Sequence, residues 1–143
     1  MAENSLKPIV VGVDGSPSSL SALEWAARHA ELTKLPLEAV ATWQWPNNYG
    51  YAVAFESGFD PAQESREMLD EIVAKLKADH PEIEVRPNVI EGDTRNVLVK
   101  LSKEASLLVL GSRGHGELTG MLLGSVSGYC VTHADCPVLV TRH

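Results

Sequence analysis

Glycines and small polar residues concentrate in residues 111–127, in the last third of the chain. Two residues separate Gly111 from Gly114, nine separate Gly114 from Gly124, and Ser125 follows directly. Because glycine has no Cβ, a backbone built from such residues can bring its N–H groups close to an anion. The spacing therefore predicts a loop that binds phosphate.

The segments on either side of this loop support the same chemistry. Residues 107–110 form a short apolar run typical of a buried strand, and helical character begins at Ser125. A helix N-terminus directs N–H groups at an anion, the hydroxyls of Ser125 and Ser127 add donors, and Arg113 adds a permanent positive charge. No lysine follows Gly124, so the loop is not a Walker P-loop, and its spacing is not that of the dinucleotide fingerprint. A glycine-rich turn without a ligand is the alternative interpretation, and we favour the ligand loop.

Composition sets the limits within which such a loop must work. The chain has 143 residues, of which 44% are hydrophobic and 22% charged, values that suit a single globular domain over residues 1–143. A formal net charge of −7 argues against non-specific binding of nucleic acid. The first residues lack the apolar core of a signal peptide, and no apolar run approaches membrane-spanning length. We therefore expect a cytoplasmic protein that binds neither nucleic acid nor membrane.

Strand and helix patterns alternate along the chain. Predicted helices begin after the caps at Ser16, Asp60 and Asp93, and the last begins at Ser125. The apolar face predicted for the first helix contains Leu20, Leu23, Ala27 and Ala30. Predicted strands occupy residues 9–13, 37–43, 82–89, 107–110 and 137–141. This alternation predicts one doubly wound α/β domain, a five-stranded parallel sheet of order 3-2-1-4-5 with helices on both faces.

The predicted topology brings the two polar strand ends together. The winding reverses between strands 1 and 4, and ligands bind outside the carboxyl ends of strands at such a switch point. Strand 1 ends at Asp14, and strand 4 runs into the glycine loop. The Asp14 carboxylate would either accept backbone N–H groups of its own turn or contact a ligand. Pro87 in the third strand indicates that this strand lies at a sheet edge.

The glycine spacing together with Asp14 resembles the ATP-binding branch of the universal stress protein family, over essentially the whole chain. The resemblance implies an adenine nucleotide, above all ATP, as the ligand. It implies contact between the adenine ring and the backbone of Ala39, Val40 and Ala41. The remaining implied ligand-binding residues are Val13, Asp14, Gly15, Ser16, Gly111, Ser112, Arg113, Gly114, His115, Gly124, Ser125, Val126 and Ser127.

Several features within the resemblance have two interpretations. His115 would touch phosphate when protonated or face solvent, and Glu117 would repel phosphate unless it points away or helps to hold Mg²⁺. Five of the eight aromatic residues lie in residues 45–59, which would form a flap over the ligand or cover a hydrophobic edge. Cys130, His133 and Cys136 have spacings that could suggest a metal, but buried structural cysteines are favoured, and no metal site is predicted.

The resemblance implies a regulatory nucleotide-binding domain of a stress response, and we expect no catalytic residues. Phosphoryl transfer needs a positioned base, and none stands out beside Arg113. The alternatives are a slow adenine-nucleotide hydrolase or nucleotidyl transferase on the same fold, and a structural dimer whose loop is empty. The apolar last strand, residues 138–140, would lie at a sheet edge, and the resemblance implies a homodimer through that strand.

Overall fold

The structure, a computed structural model, describes residues 6–45, 60–113 and 123–142. The hypotheses on the aromatic segment concern chiefly residues 46–59, outside the described residues. Gly114, His115 and Glu117 also lie outside them. Among the described residues, none of the helices combines the length and apolar character needed to cross a membrane.

Within the residues that the structure describes, five strands and four helices alternate. The strands are β1 (Ile9–Gly12), β2 (Leu37–Trp43), β3 (Val85–Glu91), β4 (Leu107–Gly111) and β5 (Val138–Thr141). The helices are α1 (Pro17–Thr33), α2 (Pro61–Asp79), α3 (Thr94–Ser102) and α4 (Ser125–His133). The strands form one sheet of order β3-β2-β1-β4-β5, and every pair in it is parallel. The predicted fold and strand order are confirmed.

The central strand β1 contributes to a hydrophobic core on each face of the sheet. Ile9 and Val11 belong to the core beneath α1 and α2, whereas Val10 belongs to the core beneath α3 and α4. All three side chains are at most 1% exposed. Because successive side chains of a strand point to opposite faces, a strand covered on both faces must be continuously apolar. The coverage of β1 on both faces therefore explains why the apolar run at residues 9–13 is uninterrupted.

Helix α1 buries three of the four residues predicted for its apolar face, Leu23, Ala27 and Ala30, but not Leu20. Leu20 is 40% exposed, and the residues of α1 that enter the core are Ala22, Leu23, Ala26, Ala27 and Ala30. At 100° per residue, Leu20 lies roughly 90° from the centre of this arc, at its rim. The prediction was wrong for Leu20 because it assumed that a large apolar side chain would face the core. Helix α1 instead packs on the sheet mainly through a row of alanines.

Strand β3 is an edge strand, as Pro87 indicated, although its bounds lie further along the chain than predicted. The carbonyl of Glu84 accepts from Leu37 N and Gly92 N donates to the Trp43 carbonyl, so the even-numbered residues of β3 direct their backbone groups toward β2. Pro87 therefore faces the free edge with a nitrogen that has no hydrogen to offer. Its missing N–H removes no bond from the ladder.

The carboxyl end of β4 lies very close to α1. An idealised Cβ placed on Gly111 would stand 2.6 Å from the Ser18 carbonyl carbon and 2.7 Å from its oxygen. These are backbone atoms of a helix, which cannot rotate away as a side chain can. Gly111 is thus required where β4 and α1 approach each other, whether or not a ligand is bound.

His80 joins the end of α2 to α1. Its ring is buried, with Nδ1 2.7 Å from Glu31 Oε2 and Nε2 3.0 Å from Glu24 Oε2. Glu24 also contacts Arg28 Nε at 3.3 Å. Only a doubly protonated imidazole donates from both nitrogens. The hydrogen bond to Glu31 is the main cause that raises the pKa of His80 above 6.5, desolvation opposes it, and Glu24 adds to the rise.

We expect this bridge to make stability depend on pH. Because the pKa of His80 is raised in the folded state, the stabilisation is complete below the unfolded value, about 6.5, and is lost as pH rises through the folded value. The free energy of unfolding in urea should therefore fall as pH rises above about 6.5, and His80→Gln should flatten that dependence. His29→Gln is the matched control, since the His29 ring stacks on Trp25. A pH dependence that His80→Gln leaves intact would contradict the assignment.

The Gly111 contact predicts a specific cost of adding one methyl group. Gly111→Ala should lower the free energy of unfolding by about 1–3 kcal/mol or more through overpacking against α1. Gly128→Ala is the control, because a Cβ there would have Leu123 Cβ as its nearest atom, at 3.9 Å. That helical substitution should stabilise by up to about 1 kcal/mol. Equal thermal shifts in the two variants would show that the close approach does not constrain residue 111.

Candidate functional site

A cavity of about 360 Å³ opens at the carboxyl ends of β2, β1 and β4. It lies at the position where the winding of the sheet reverses, since β1 is followed by β2 on one side and has β4 on the other. Helices α2, α3 and α4 also contribute to its walls. The observed position agrees with the rule for ligand sites in open parallel sheets.

Most of the residues predicted for the site meet in this cavity. It is lined by Val13, Asp14, Val40, Ala41, Gly111, Arg113, Gly124, Ser125, Val126 and Ser127. Among the predicted residues that the structure describes, four are not part of its lining, namely Gly15, Ser16, Ala39 and Ser112. Ala39 is fully buried in the core beneath α1 and α2, and Ser16 caps α1. Ala39 and Ser16 therefore serve the scaffold in this structure.

Asp14 lies in a tight turn between β1 and α1. Its Oδ1 atom accepts from Ser16 N at 2.9 Å, and its own N–H donates to Ser19 Oγ at 3.3 Å. Gly15 between them has a φ of 82°, a left-handed conformation that favours glycine. Asp14 is exposed and lines the cavity. The two interpretations of Asp14 are thus compatible, because a carboxylate held by its turn still faces the cavity.

The far end of the glycine loop is fixed to the end of β4 by a compact set of hydrogen bonds. Gly124 N donates to the Ser112 carbonyl at 2.6 Å and also lies 3.0 Å from Ser127 Oγ. Ser127 Oγ donates to the same Ser112 carbonyl at 2.8 Å. Ser127 is 2% exposed, whereas Ser125 at the first position of α4 is exposed. The hydroxyl proton of Ser127 is therefore used within the protein.

The charged side chains among the described residues that line the cavity are Asp14 and Arg113. Arg113 N donates to Ser18 Oγ at 3.4 Å, which ties the start of the loop to α1. The first turn of α4 faces the cavity through Ser125, Val126 and Ser127. Helix N-termini carry a partial positive charge. The β4–α4 side of the cavity is thus suited to an anion.

The opposite side of the cavity contains residues that the sequence did not point to. Thr42 at the end of β2 and Thr94 at the start of α3 share a hydrogen bond of 2.6 Å between their hydroxyls. The other lining residues that were not predicted, which are distributed around the cavity, are Gly12, Ser19, Ser65, Met68, Leu98 and Leu110. The predicted sheet could have placed Thr42 at a carboxyl strand end. Ser65 and Met68 carry no such signal, because their position depends on how α2 packs across the sheet.

Neither of the two cysteines lines this cavity. Burial is the main cause that raises the pKa of Cys130 to about 11, and it also raises the pKa of Cys136. Both thiols are therefore protonated near neutral pH, and a thiol must lose its proton to bind a metal. Among the described residues, no group of three or more His, Cys, Asp or Glu side chains is arranged to hold a metal ion.

Comparison with known proteins places these features in a family. The sequence profile of the Universal stress protein family matches residues 5–142. Universal stress protein Rv2623 of Mycobacterium tuberculosis is 34% identical to this chain over an alignment of 159 positions. The alignment covers 96% of this chain and 48% of that protein. The chain thus spans about half the length of the curated relatives it matches.

Solved structures give the same result for the fold. The universal stress protein UspA from Lactobacillus plantarum superposes with a TM-score of 0.82 at 22% identity, covering 96% of this chain and 98% of that one. A universal stress protein solved in complex with cAMP superposes with a TM-score of 0.70 at 27% identity, covering 95% and 97%. With the profile match over nearly its whole length, the chain belongs to the universal stress protein family.

Proposed function

We propose that this domain binds an adenine nucleotide, with ATP as the ligand, and that it acts as a regulatory switch in a stress response. The observation that carries the proposal is the cavity itself, which combines an anion-binding side at the start of α4 with an apolar side beneath α2 and α3. A family member that is 27% identical was solved with cAMP, which supports an adenine nucleotide as the ligand class.

The dimensions of the cavity suit a nucleotide. Its walls extend over the ends of three adjacent strands, β2, β1 and β4. Neighbouring strands lie about 4.8 Å apart, so the distance from the end of β2 to the end of β4 is about 10 Å. A volume of about 360 Å³ lies within the ordinary range for small-molecule sites. A nucleotide that lies along the line from β2 to β4 would place its base over β2, its ribose near β1 and its phosphates at the start of α4.

The phosphate end would be formed by Arg113 and the first turn of α4. Arg113 provides a charge that can contact two phosphate oxygens at once. The exposed Ser125 and the N-terminal N–H groups of α4 face the same side. Gly114 and His115 remain part of the proposed site from the resemblance alone. Mg²⁺ bound with the nucleotide would reach the protein chiefly through the phosphates.

The base end would be apolar with a small polar component. Val40, Ala41, Met68 and Leu98 line this part of the cavity, and the Thr42–Thr94 hydroxyl pair lies at its rim. Asp14 lies between the two ends, at the carboxyl end of β1 and within reach of a ribose hydroxyl under the proposal. Flat apolar surfaces that hold a base, with few polar groups that orient it, are typical of cofactor sites.

The charged groups that line the cavity favour nucleotide binding without hydrolysis. Asp14 is the one carboxylate among the described residues lining the cavity, and its Oδ1 already accepts a hydrogen bond from Ser16 N. A general base has to be within reach of the attacking water or hydroxyl and poised to accept its proton. We therefore propose a nucleotide-dependent regulator in the cytoplasm, where ATP is abundant, with slow hydrolysis as the alternative.

We also propose that two copies of this domain associate through β5. The strand pairs with β4 on one side, where the carbonyls of Pro137 and Thr141 accept from Leu108 N and Ser112 N. Val138 and Val140 therefore direct their backbone groups to the free edge. All residues of β5 are half-buried. Pairing with the same strand of a second copy would satisfy the edge groups and give a two-fold interface.

Arg113 tests the orientation of the nucleotide. Arg113→Ala should weaken ATP binding by about tenfold or more, because a charge-assisted hydrogen bond contributes about 1.5–3 kcal/mol. Adenosine, which has no phosphate, should lose less than about twofold. Arg86→Ala, on the exposed edge strand β3, is the control. Calorimetry with both ligands measures the affinities, and mass spectrometry of nucleotide released from freshly purified, denatured protein identifies the natural ligand. Equal losses for ATP and adenosine would contradict the orientation.

The proposed dimer is tested by removing one outward N–H. Val140→Pro should shift the protein from dimer to monomer in sedimentation at tens of micromolar, roughly the range in which weak oligomers still associate. Val89→Pro is the matched control, because it removes an outward N–H from the opposite edge strand β3. A wild-type protein that sediments as a monomer at that concentration would refute the dimer, as would dissociation by Val89→Pro alone.

A further inference from the structure

Ser127 carries a hydroxyl that is fully engaged inside the protein although the residue lines the cavity. It is 2% exposed, donates to the Ser112 carbonyl at 2.8 Å and lies 3.0 Å from Gly124 N, from which it accepts. Gly124 N also donates to the Ser112 carbonyl at 2.6 Å. A single carbonyl thus receives two donors, which matches its two lone pairs.

The Ser112 carbonyl is itself fixed to the sheet. Ser112 is 6% exposed, and its N–H donates to the Thr141 carbonyl at the end of β5 at 2.8 Å. A continuous path of hydrogen bonds therefore runs from β5 through Ser112 to the first turn of α4. Ser127 closes this path at the helix, one turn after Gly124, the N-cap of α4. The start of α4 is held in a defined position relative to the ends of β4 and β5.

We propose that Ser127 is a positioning residue, whose hydroxyl holds the N-terminus of α4 where its N–H groups bind phosphate. The inference rests on the proposed function, because it assigns a role within the proposed nucleotide site. Ser127 does not donate to the ligand, since its proton is committed to Ser112. Removing the hydroxyl leaves the Ser112–Gly124 bond but takes away the side chain that fixes its direction. A helix end displaced by a fraction of an ångström binds a rigid anion less well.

A matched hydroxyl elsewhere in the chain allows the positioning role to be separated from a loss of stability. Ser102 at the end of α3 is 1% exposed, donates to the Val99 carbonyl at 2.6 Å and accepts from Asp135 N at 2.9 Å. Its bonding is of the same kind as that of Ser127, but it does not line the cavity. Both serine-to-alanine variants should lower the melting temperature. Only the one at residue 127 should affect nucleotide binding.

The decisive experiment is calorimetry of ATP and adenosine binding to the full chain. Ser127→Ala should weaken ATP by about tenfold and adenosine by less than about twofold, whereas Ser102→Ala should change neither by more than about twofold. Ser127→Thr, which keeps a hydroxyl, should restore most of the ATP affinity. If Ser127→Ala does not fold, Ser127→Cys takes its place, because a thiol is a weak donor. Unchanged ATP affinity, or equal loss of ATP and adenosine, would overturn the inference.

Hydrogen exchange of the Gly124 amide provides a readout that needs no ligand. In the wild type this N–H is bonded to both Ser112 and Ser127, so its exchange should be slow, and Ser127→Ala should accelerate it by about tenfold. Ser102→Ala should leave it unchanged. A wild-type protein that binds no nucleotide would overturn the proposed function and this role together. Nucleotide binding that is insensitive to Ser127→Ala, or Gly124 exchange that does not accelerate, would overturn the role of Ser127 alone.

Discussion

The parallel pairing of β1 with β2 on one side and β4 on the other is the constraint on which the rest of the structure depends. Val11 is paired with Ala39 and with Val109 at once, so the ends of all three strands reach the same edge of the sheet. A parallel sheet requires its connections to cross over a face, and these crossovers carry the helices. Since the crossovers from β1 and from β4 leave in opposite directions, a gap opens between them at the carboxyl ends. The cavity lies there because no helix can cover that position.

Under the proposal, single residues around this gap would serve packing and binding together. Gly111 would be needed even without a ligand, because a Cβ there would meet the backbone of Ser18 at 2.6 Å. Asp14 accepts a hydrogen bond within its own turn while it faces the cavity. Ser127 fixes the first turn of α4 without offering its proton to a ligand. A motif that describes a binding site therefore includes residues that act on the scaffold, and their loss would affect binding indirectly.

The sequence was sufficient to predict what depends on local pattern and chain direction. Continuous apolar runs identified β1 and β4, caps at Ser16, Asp60 and Asp93 identified helix starts, and Pro87 identified an edge strand. It was insufficient where the answer depends on how elements approach each other. Leu20 was wrongly predicted to lie in the core because large apolar side chains usually face it. In this fold a row of alanines lets α1 approach the sheet closely, and Leu20 stays exposed. Thr94, Ser65 and Met68 reach the cavity only through the packing of α2 and α3.

The acidic character of the chain is compatible with an anion site because screening makes electrostatics local. The excess of 19 acidic over 12 basic residues falls within residues 56–93, and the acidic and basic residues of the rest of the chain balance. At physiological salt, charges more than about 8 Å apart are largely screened, so an anion at the start of α4 responds mainly to the groups around it. Those groups are Arg113, the backbone N–H donors at the start of α4 and the Ser125 hydroxyl, with Asp14 on the ribose side under the proposal. Apart from Arg113 these donors are neutral, and hydrogen bonds to Ser112 and Ser18 hold the start of α4 and the start of the glycine loop in position. Under the proposal, the site would therefore select a phosphate by geometry more than by charge, and that geometry depends on the same bonds that hold β4, β5 and α4 together.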